Sequence, residues 1–269
     1  ATMESIGNRA FYGDSRLFMV YMKSISISRL HSIGSYAFYG CATLVQFCSD
    51  TSFTFPDSLT SIGEHAFQEC RGVKSIVFSE NISTMGDYAF ASCSALTNVV
   101  LPRALTAIPQ YGFADCHFLS SVTFGGGNSN ETRTIGAYAF KSCYKLGSME
   151  LLRVNKIERN AYLDCSSLIR VQIPNMECNI EDDAFPDVET LYLIGWSPST
   201  AETYTKNRKI NFIATNLQDT GYYKYKEPID MTGTGKGKIV VLTDKITDPK
   251  KYAAYDPNRQ MAAKVSRLV

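Results

Sequence analysis

The sequence predicts an α/β repeat solenoid of about eight rungs, each 22–23 residues long, with a parallel β-sheet on one face and a short non-repeat C-terminal appendage. Three observations predict it. A phrase of aliphatic, polar, small, aromatic and cysteine residues recurs, as in Ile33-Gly34-Ser35-Tyr36-Ala37-Phe38-Tyr39-Gly40-Cys41 and Met85-Gly86-Asp87-Tyr88-Ala89-Phe90-Ala91-Ser92-Cys93. The aliphatic precedes the aromatic by five residues in every copy. After the cysteine comes a second phrase, Cys93-x-x-Leu96-x-x-Val99-x-Leu101, whose last apolar residues alternate with polar or variable ones. That is the period-two signal of a short, half-buried strand. Self-similarity at so short a period marks stacked supersecondary units.

The aromatic column reads Phe11, Phe38, Phe67, Phe90, Phe113, Phe140, Tyr162 and Phe185, and the aliphatic column Ile6, Ile33, Ile62, Met85, Ile108, Ile135, Ile157 and Ile180. The aliphatic column advances by 27, 29, 23, 23, 27, 22 and 23 residues, so three copies carry insertions. These fall near residues 21–29, 48–55 and 125–133. Ala37, Ala66, Ala89, Ala139, Ala161 and Ala184 precede their aromatics, and Gly34, Gly63, Gly86 and Gly136 follow their aliphatics. A further apolar column, Met3, Leu30, Leu59, Ile82, Leu105 and Val154, is broken by Thr132 and Glu177. Each unit therefore reads as a strand, a turn and a short helical or irregular segment. One unit alone cannot enclose its apolar columns, so the next rung must cover them. At about 4.8 Å per rung, eight rungs give a slab on the order of 38 Å long.

These phrases resemble the BspA-type leucine-rich repeat of bacterial and protozoan surface proteins, over roughly Ala1 to Thr215. The resemblance implies a right-handed leucine-rich-repeat superhelix, and a cell-surface or secreted protein that adheres to host matrix proteins or other cells. The slot after the strand holds residues such as Ala104, so the asparagine ladder of ordinary leucine-rich repeats is replaced by the aromatic-cysteine side. A closing helix is expected near 199–207, where Ser199 and Glu202 have capping-box spacing. At the other end the chain enters mid-repeat at Ile6, which suggests a piece of a longer protein.

Composition bounds the function. An apolar fraction of 45% is ordinary for a globular protein, and net charge is +1. Residues 215–269 hold ten Lys/Arg against six Asp/Glu, hence +4; the array then carries 17 against 20, hence −3. Neither favours nucleic acid, and no apolar run is long enough to span a membrane. Six of the eight cysteines (41, 70, 93, 116, 143 and 165) share one column. Equivalent residues on stacked rungs point in parallel, with Cβ atoms about 4.8 Å apart instead of the roughly 3.8 Å a disulfide prefers. They read as a ladder of buried free thiols. Cys178 is expected to fill the gap at Glu177, and Cys48, on the exposed strand column, is the thiol most open to reagents.

No catalytic or metal constellation emerges, and no cofactor is implied. His31, His65 and His117 occupy different columns, and zinc needs three or four convergent ligands. His65 reads as a surface residue of a repeat turn. Gly233-Thr-Gly-Lys-Gly-Lys238 precedes the strand-like run Ile239–Thr243 instead of following a strand, which is the wrong context for a phosphate loop. The chain reads as a non-enzyme.

The candidate recognition surface is the strand face. Its outward columns run Met19, Gln46, Ser75, Asn98, Ser121, Ser148, Arg170 and Tyr21, Cys48, Val77, Val100, Thr123, Glu150, Gln172. Of these Gln46, Ser75, Asn98, Ser121, Thr123, Glu150, Arg170 and Gln172 are the candidate contacts for a protein or peptide. The columns hold no aromatic platform for sugars or bases. Residues 216–269 form the non-repeat extension, in which Tyr222, Tyr223 and Tyr225 are candidate docking residues. The rival reading is an accessory subunit of an envelope assembly, docked through that tail.

Overall fold

The computed structural model describes residues 3–21, 29–48, 53–125 and 133–215; the extension from 216, with Tyr222, Tyr223 and Tyr225, lies outside them. One compact unit spans Ala1–Asn216. Among the described residues it contains seventeen short strands and one helix. Every pairing is parallel, and the strands fall into two ladders instead of one.

The first ladder is the aliphatic column itself. β1 (Ser5–Ile6), β3 (Ser32–Ile33), β5 (Ser61–Ile62) and β7 (Thr84–Met85) pair in that order, as do β9 (Ala107–Ile108), β11 (Arg133–Ile135), β13 (Val154–Ile157) and β15 (Asn179–Ile180). In it Ile6 faces Ile33, Ile33 faces Ile62 and Ile62 faces Met85. The second ladder is the expected strand face. It comprises β2 (Met19–Val20) with β4 (Gln46–Phe47), β6 (Ser75–Val77) with β8 (Asn98–Leu101) and β10 (Ser121–Phe124), and β12 (Ser148–Glu150) with β14 (Arg170–Ile173), β16 (Tyr192–Gly195) and β17 (Asn211–Ala214). The solenoid is thus mostly β and turn. The segment carrying the aromatic and cysteine is a chain of turns, and helix is confined to α1 (Thr200–Thr205).

Two columns of left-handed residues bend each rung. Arg9, Tyr36, His65, Tyr88, Tyr111, Tyr138, Asn160 and Asp183, three past the aliphatic, have φ between 54° and 59°. Gly13, Gly40, Glu69, Ser92, Asp115, Ser142 and Asp164 repeat the conformation four residues later. For non-glycine residues this costs about 1–2 kcal/mol each. Hydrogen bonds between rungs hold them there. The N–H of Tyr36 donates to the Glu64 carbonyl at 2.8 Å, that of Phe38 to Ala66 at 2.8 Å, and that of Gly40 to Gln68 at 2.8 Å. The next rung repeats all three bonds, from His65, Phe67 and Glu69 to Asp87, Ala89 and Ala91.

This close backbone stacking explains the small-residue columns. Ala37, Ala66, Ala89, Ala139, Ala161 and Ala184 are fully buried. A Cβ on Gly86 would lie 2.4 Å from the Glu64 nitrogen, and one on Gly63 would lie 2.6 Å from the Ser35 nitrogen. Where Glu158 and Glu181 replace that glycine, their carboxylates turn back and accept the N–H of Ala137 and Arg159, both at 3.0 Å. Lys156 joins the two carboxylates at 3.0 and 2.8 Å, and its hydrogen bond to Glu181 holds that carboxyl below its ordinary range.

The aromatic column is a stacked spine. Consecutive rings from Phe11 to Phe185 lie 5.0–5.9 Å apart and within 18° of parallel. Each buried ring contributes about 1.5–3 kcal/mol by area. Tyr204 of α1 ends the spine: its ring meets Phe185 edge-on at 6.0 Å, and its hydroxyl accepts the Phe185 N–H at 3.4 Å. The helix starts where the capping residue predicts, with Ser199 Oγ accepting the Glu202 N–H at 3.2 Å. Only half of the capping box forms, because Glu202 Oε2 accepts from Ser197 Oγ at 2.7 Å instead.

The break at Thr132 is filled by its neighbour. A register shift beside Arg133 sets that residue opposite Val154, in the apolar column. Its guanidinium is buried, with Nε on the Leu105 carbonyl at 3.1 Å and the carbon centre 4.8 Å from the Phe124 ring. Cys178 is fully buried in the core, filling the gap at Glu177.

Candidate functional site

The second ladder holds the candidate residues in register, in three blocks. Met19 pairs with Gln46. Ser75, Asn98 and Ser121 align, with Val77, Val100 and Thr123 two residues on. Ser148, Arg170, Tyr192 and Asn211 align, beside Glu150, Gln172, Ile194 and Ile213. Between these positions, Ile76, Val99, Val122, Met149, Val171 and Leu193 are buried; in β16 the alternation stops, and Ile194 is buried as well.

Two features depart from the sequence expectation. The columns are not continuous from Gln46 to Ser75, because part of the insertion lies between them. Phe53 bridges to Phe47 and Thr54 bridges to Val77, both in parallel, and Phe53 and Phe55 join the core. The second departure is Cys48. Its backbone is left-handed (φ 56°), which ends the alternation, and the side chain packs partly buried against the core instead of standing free.

The structure adds residues that the sequence columns missed. β16 and β17 extend the face past the last cysteine phrase and contribute Tyr192 and Asn211. Trp196, one residue past β16, is 41% exposed. Aromatic residues therefore do reach this end of the ladder, where the predicted columns had none.

The turns carry a second aromatic ladder. Tyr36, His65, Tyr88, Tyr111 and Tyr138 stack at 4.4, 4.7, 4.5 and 4.7 Å, within 15° of parallel. His65 is not a free surface residue: it is sandwiched half-buried between two tyrosines, with Nδ1 hydrogen-bonded to Gln68 Oε1. The sequence signal is the tyrosine two positions before the column phenylalanine, masked by the histidine in the third copy. Because the ring faces are spent on one another, this column is a structural stack.

The thiols are chemically quiet. Each column thiol donates to the carbonyl of the previous rung's aromatic: Cys41 to Phe11 at 3.1 Å, Cys70 to Phe38 at 3.2 Å, Cys93 to Phe67 at 3.3 Å, Cys116 to Phe90 at 3.2 Å, Cys143 to Phe113 at 3.2 Å and Cys165 to Phe140 at 3.0 Å. Burial pushes Cys41 up to about 11, Cys48, Cys165 and Cys178 up to about 12, and the central four well above the ordinary thiol value. Nucleophilic chemistry needs the thiolate, which these sites disfavour. Among the described residues no three His, Cys, Asp or Glu side chains converge to hold a metal ion, and no helix is long and apolar enough to cross a membrane.

Repeated parallel rungs on an aromatic-cysteine spine define a leucine-rich-repeat solenoid. The chain matches the BspA type leucine-rich repeat region in six copies, over residues 1–49, 45–149 and 127–202, and it belongs to that family. Among solved structures it is similar to a leucine-rich repeat protein from Bacteroides ovatus, at 22% identity and a TM-score of 0.58, covering 79% of this chain and 57% of that one. It thus spans a little over half the length of that relative. It is also similar to a leucine-rich repeat protein from Eubacterium ventriosum (15% identity, TM-score 0.46, 70% of this chain and 74% of that one). A third is a leucine-rich cell surface protein from Faecalibacterium prausnitzii (18% identity, TM-score 0.32, 77% and 79%). No curated protein matches this chain.

Proposed function

We propose that the chain is a cell-surface or secreted interaction module, working without catalysis, that adheres to a protein or peptide partner through the second strand ladder. The observation that carries this reading is the in-register outward face itself. Ser75, Asn98 and Ser121 present short polar side chains on successive rungs, and beside them Val77 and Val100 are 53% and 47% exposed. Exposed β-branched side chains among small polar ones make a surface of low charge that a partner backbone can approach closely. Solenoids offer extended surfaces of this kind for protein contacts. The leucine-rich-repeat family is typically non-catalytic, and the quiet thiols described above agree with that.

The test is a paired pull-down with the whole chain and a version ending at Thr215, each offered host extracellular-matrix extract and envelope extract from the source cell. Matrix proteins retained by both forms, and lost when charge is changed on the strand face by Asn98→Arg or Arg170→Glu, support an adhesive module binding through that face. Envelope proteins retained only when residues 216–269 are present would replace this reading with a docked accessory subunit.

A further inference from the structure

The geometry points to a hot spot at the C-terminal end of the strand face, built on Arg170, Tyr192, Leu152 and Trp196, that holds a protein segment presenting a carboxylate beside an apolar side chain. The inference rests on the strand-face reading above and narrows it to one place and one partner chemistry.

Register assembles the patch. Arg170 pairs with Ser148 on one side and Tyr192 on the other, and Ile173 pairs with Gly195. The Leu151 N–H donates to the Gln172 carbonyl at 2.8 Å, which continues the β12–β14 register. Continued past the strand ends, by two residues after β12 and by one after β14 and β16, that register brings Leu152, Pro174 and Trp196 to successive rungs. Each lies four residues on from Ser148, Arg170 or Tyr192. Leu152 is 44% exposed and Trp196 41%. Single exposed apolar residues need no explanation, whereas Leu152 and Trp196 flank the half-buried Pro174 on the rung between them and make a row that marks a contact surface.

Charge selects the occupant. The Arg170 side chain makes no hydrogen bond or ion pair among the described residues, and its Nε is shut off from solvent without an acceptor. With Nε shut off, an outside partner meets the terminal nitrogens, and a carboxylate is the acceptor that best matches a guanidinium with no ion pair of its own. Glu150 stands on the adjacent rung, two positions along, also without an ion-pair partner among the described residues. Rung and residue spacing set these two backbone positions roughly 8 Å apart. A segment with an acid over Arg170 and a donor over Glu150 therefore meets both signs, which a uniformly acidic or basic segment does not. From Arg170 and Tyr192 to the row of Leu152 and Trp196 is about 13 Å, the reach of four or five extended residues. Trp, Tyr and Arg are also the residue types in which binding energy concentrates.

The experiment pans a phage-displayed random dodecapeptide library on the full chain, then measures the enriched peptides against Arg170→Glu, Trp196→Ala and Asn98→Arg. Circular dichroism melts establish that each variant folds, and Arg170→Gln serves as the milder replacement should Arg170→Glu lose its fold. The expected result is peptides carrying Asp or Glu near an aromatic or aliphatic residue. Their binding falls at least about tenfold in Arg170→Glu and Trp196→Ala, weakens with salt, and is unchanged in Asn98→Arg. Peptides lost only on Asn98→Arg would overturn the hot spot and leave the strand-face reading standing. Peptides indifferent to all three variants would overturn both, and a library that yields no binder would overturn the hot spot.

Discussion

The Phe67 carbonyl accepts two donors: the N–H of Cys70 on its own rung at 3.2 Å and the thiol of Cys93 on the next at 3.3 Å. The same double acceptance recurs at Phe38 and Phe140, from Cys41 and Cys70 and from Cys143 and Cys165. This is why cysteine holds the column. The thiol is small enough for the stacked interior, apolar enough to be buried, and still able to satisfy a carbonyl that one backbone donor leaves half-used.

Alkaline pH should therefore unfold the protein through these thiols. Their folded pKa values are raised, to about 11 for Cys41 and about 12 for Cys165 and Cys178, against about 8.5 for an unfolded thiol. A raised value means that the fold favours the neutral thiol. The stabilisation is complete below about pH 8.5 and is lost as pH rises toward the folded values. Urea midpoints measured from pH 7 to pH 11 should fall progressively above about pH 9. At pH 8, Ellman's reagent should react with the native protein slowly if at all, and with all eight thiols after denaturation. Rapid native labelling of the column cysteines would contradict the buried ladder.

The aromatic spine makes a second prediction. Phe90 is fully buried, stacked 5.2 Å from Phe67 and 5.7 Å from Phe113, and Phe78 meets it edge-on at 5.4 Å. Rungs tied by backbone hydrogen bonds on both sides cannot collapse into the space that a truncation leaves. Phe90→Ala should cost about 3–5 kcal/mol. An unchanged denaturant midpoint would contradict the stacked interior.

The columns were legible because their offset never slips, and a buried column tolerates few residue types. What escaped was local. β1, β3 and β5 have two residues each, too few to display alternation, so nothing in the sequence marks the first ladder as strand. Tyr36, Tyr88 and Tyr111 are left-handed without being Gly, Asn or Asp, the residues that usually signal it. Arg133 enters the apolar column through a register shift that the gap at Thr132 did not reveal. The candidate face was legible in its central columns, Ser75 to Ser121 and Ser148 to Arg170. Its C-terminal end was not, because Phe185 has no following cysteine phrase to announce β16.

The glycine column gives a test with an internal control. Gly86 faces the Glu64 nitrogen where a Cβ would stand at 2.4 Å, whereas a Cβ on Gly7, in the first rung, meets nothing within 4 Å. Gly86→Ala should thus destabilise by about 1–3 kcal/mol through overpacking. Gly7→Ala should be neutral or slightly stabilising, since alanine restricts only the unfolded chain. Equal effects in thermal melts would show that backbone approach is not what selects glycine here.

Tyr162 is the one tyrosine in the repeat's aromatic column, and its hydroxyl is buried without a hydrogen-bond partner. Burial also pushes its pKa well above the ordinary phenol value, with Cys165, Cys178 and Cys143 as its titratable neighbours. The ring does the work of its column, stacking 5.4 Å from Phe140 and 5.0 Å from Phe185, so the hydroxyl adds desolvation cost and no bond. Tyr162→Phe keeps the ring and should raise stability by about 1 kcal/mol, an unsatisfied buried polar group costing about 1–3 kcal/mol. Phe140→Tyr should do the reverse at a neighbouring rung. Urea titrations of both variants check the pair, and a loss of stability in Tyr162→Phe would mean that the hydroxyl is satisfied in solution, by a water held among the three cysteines.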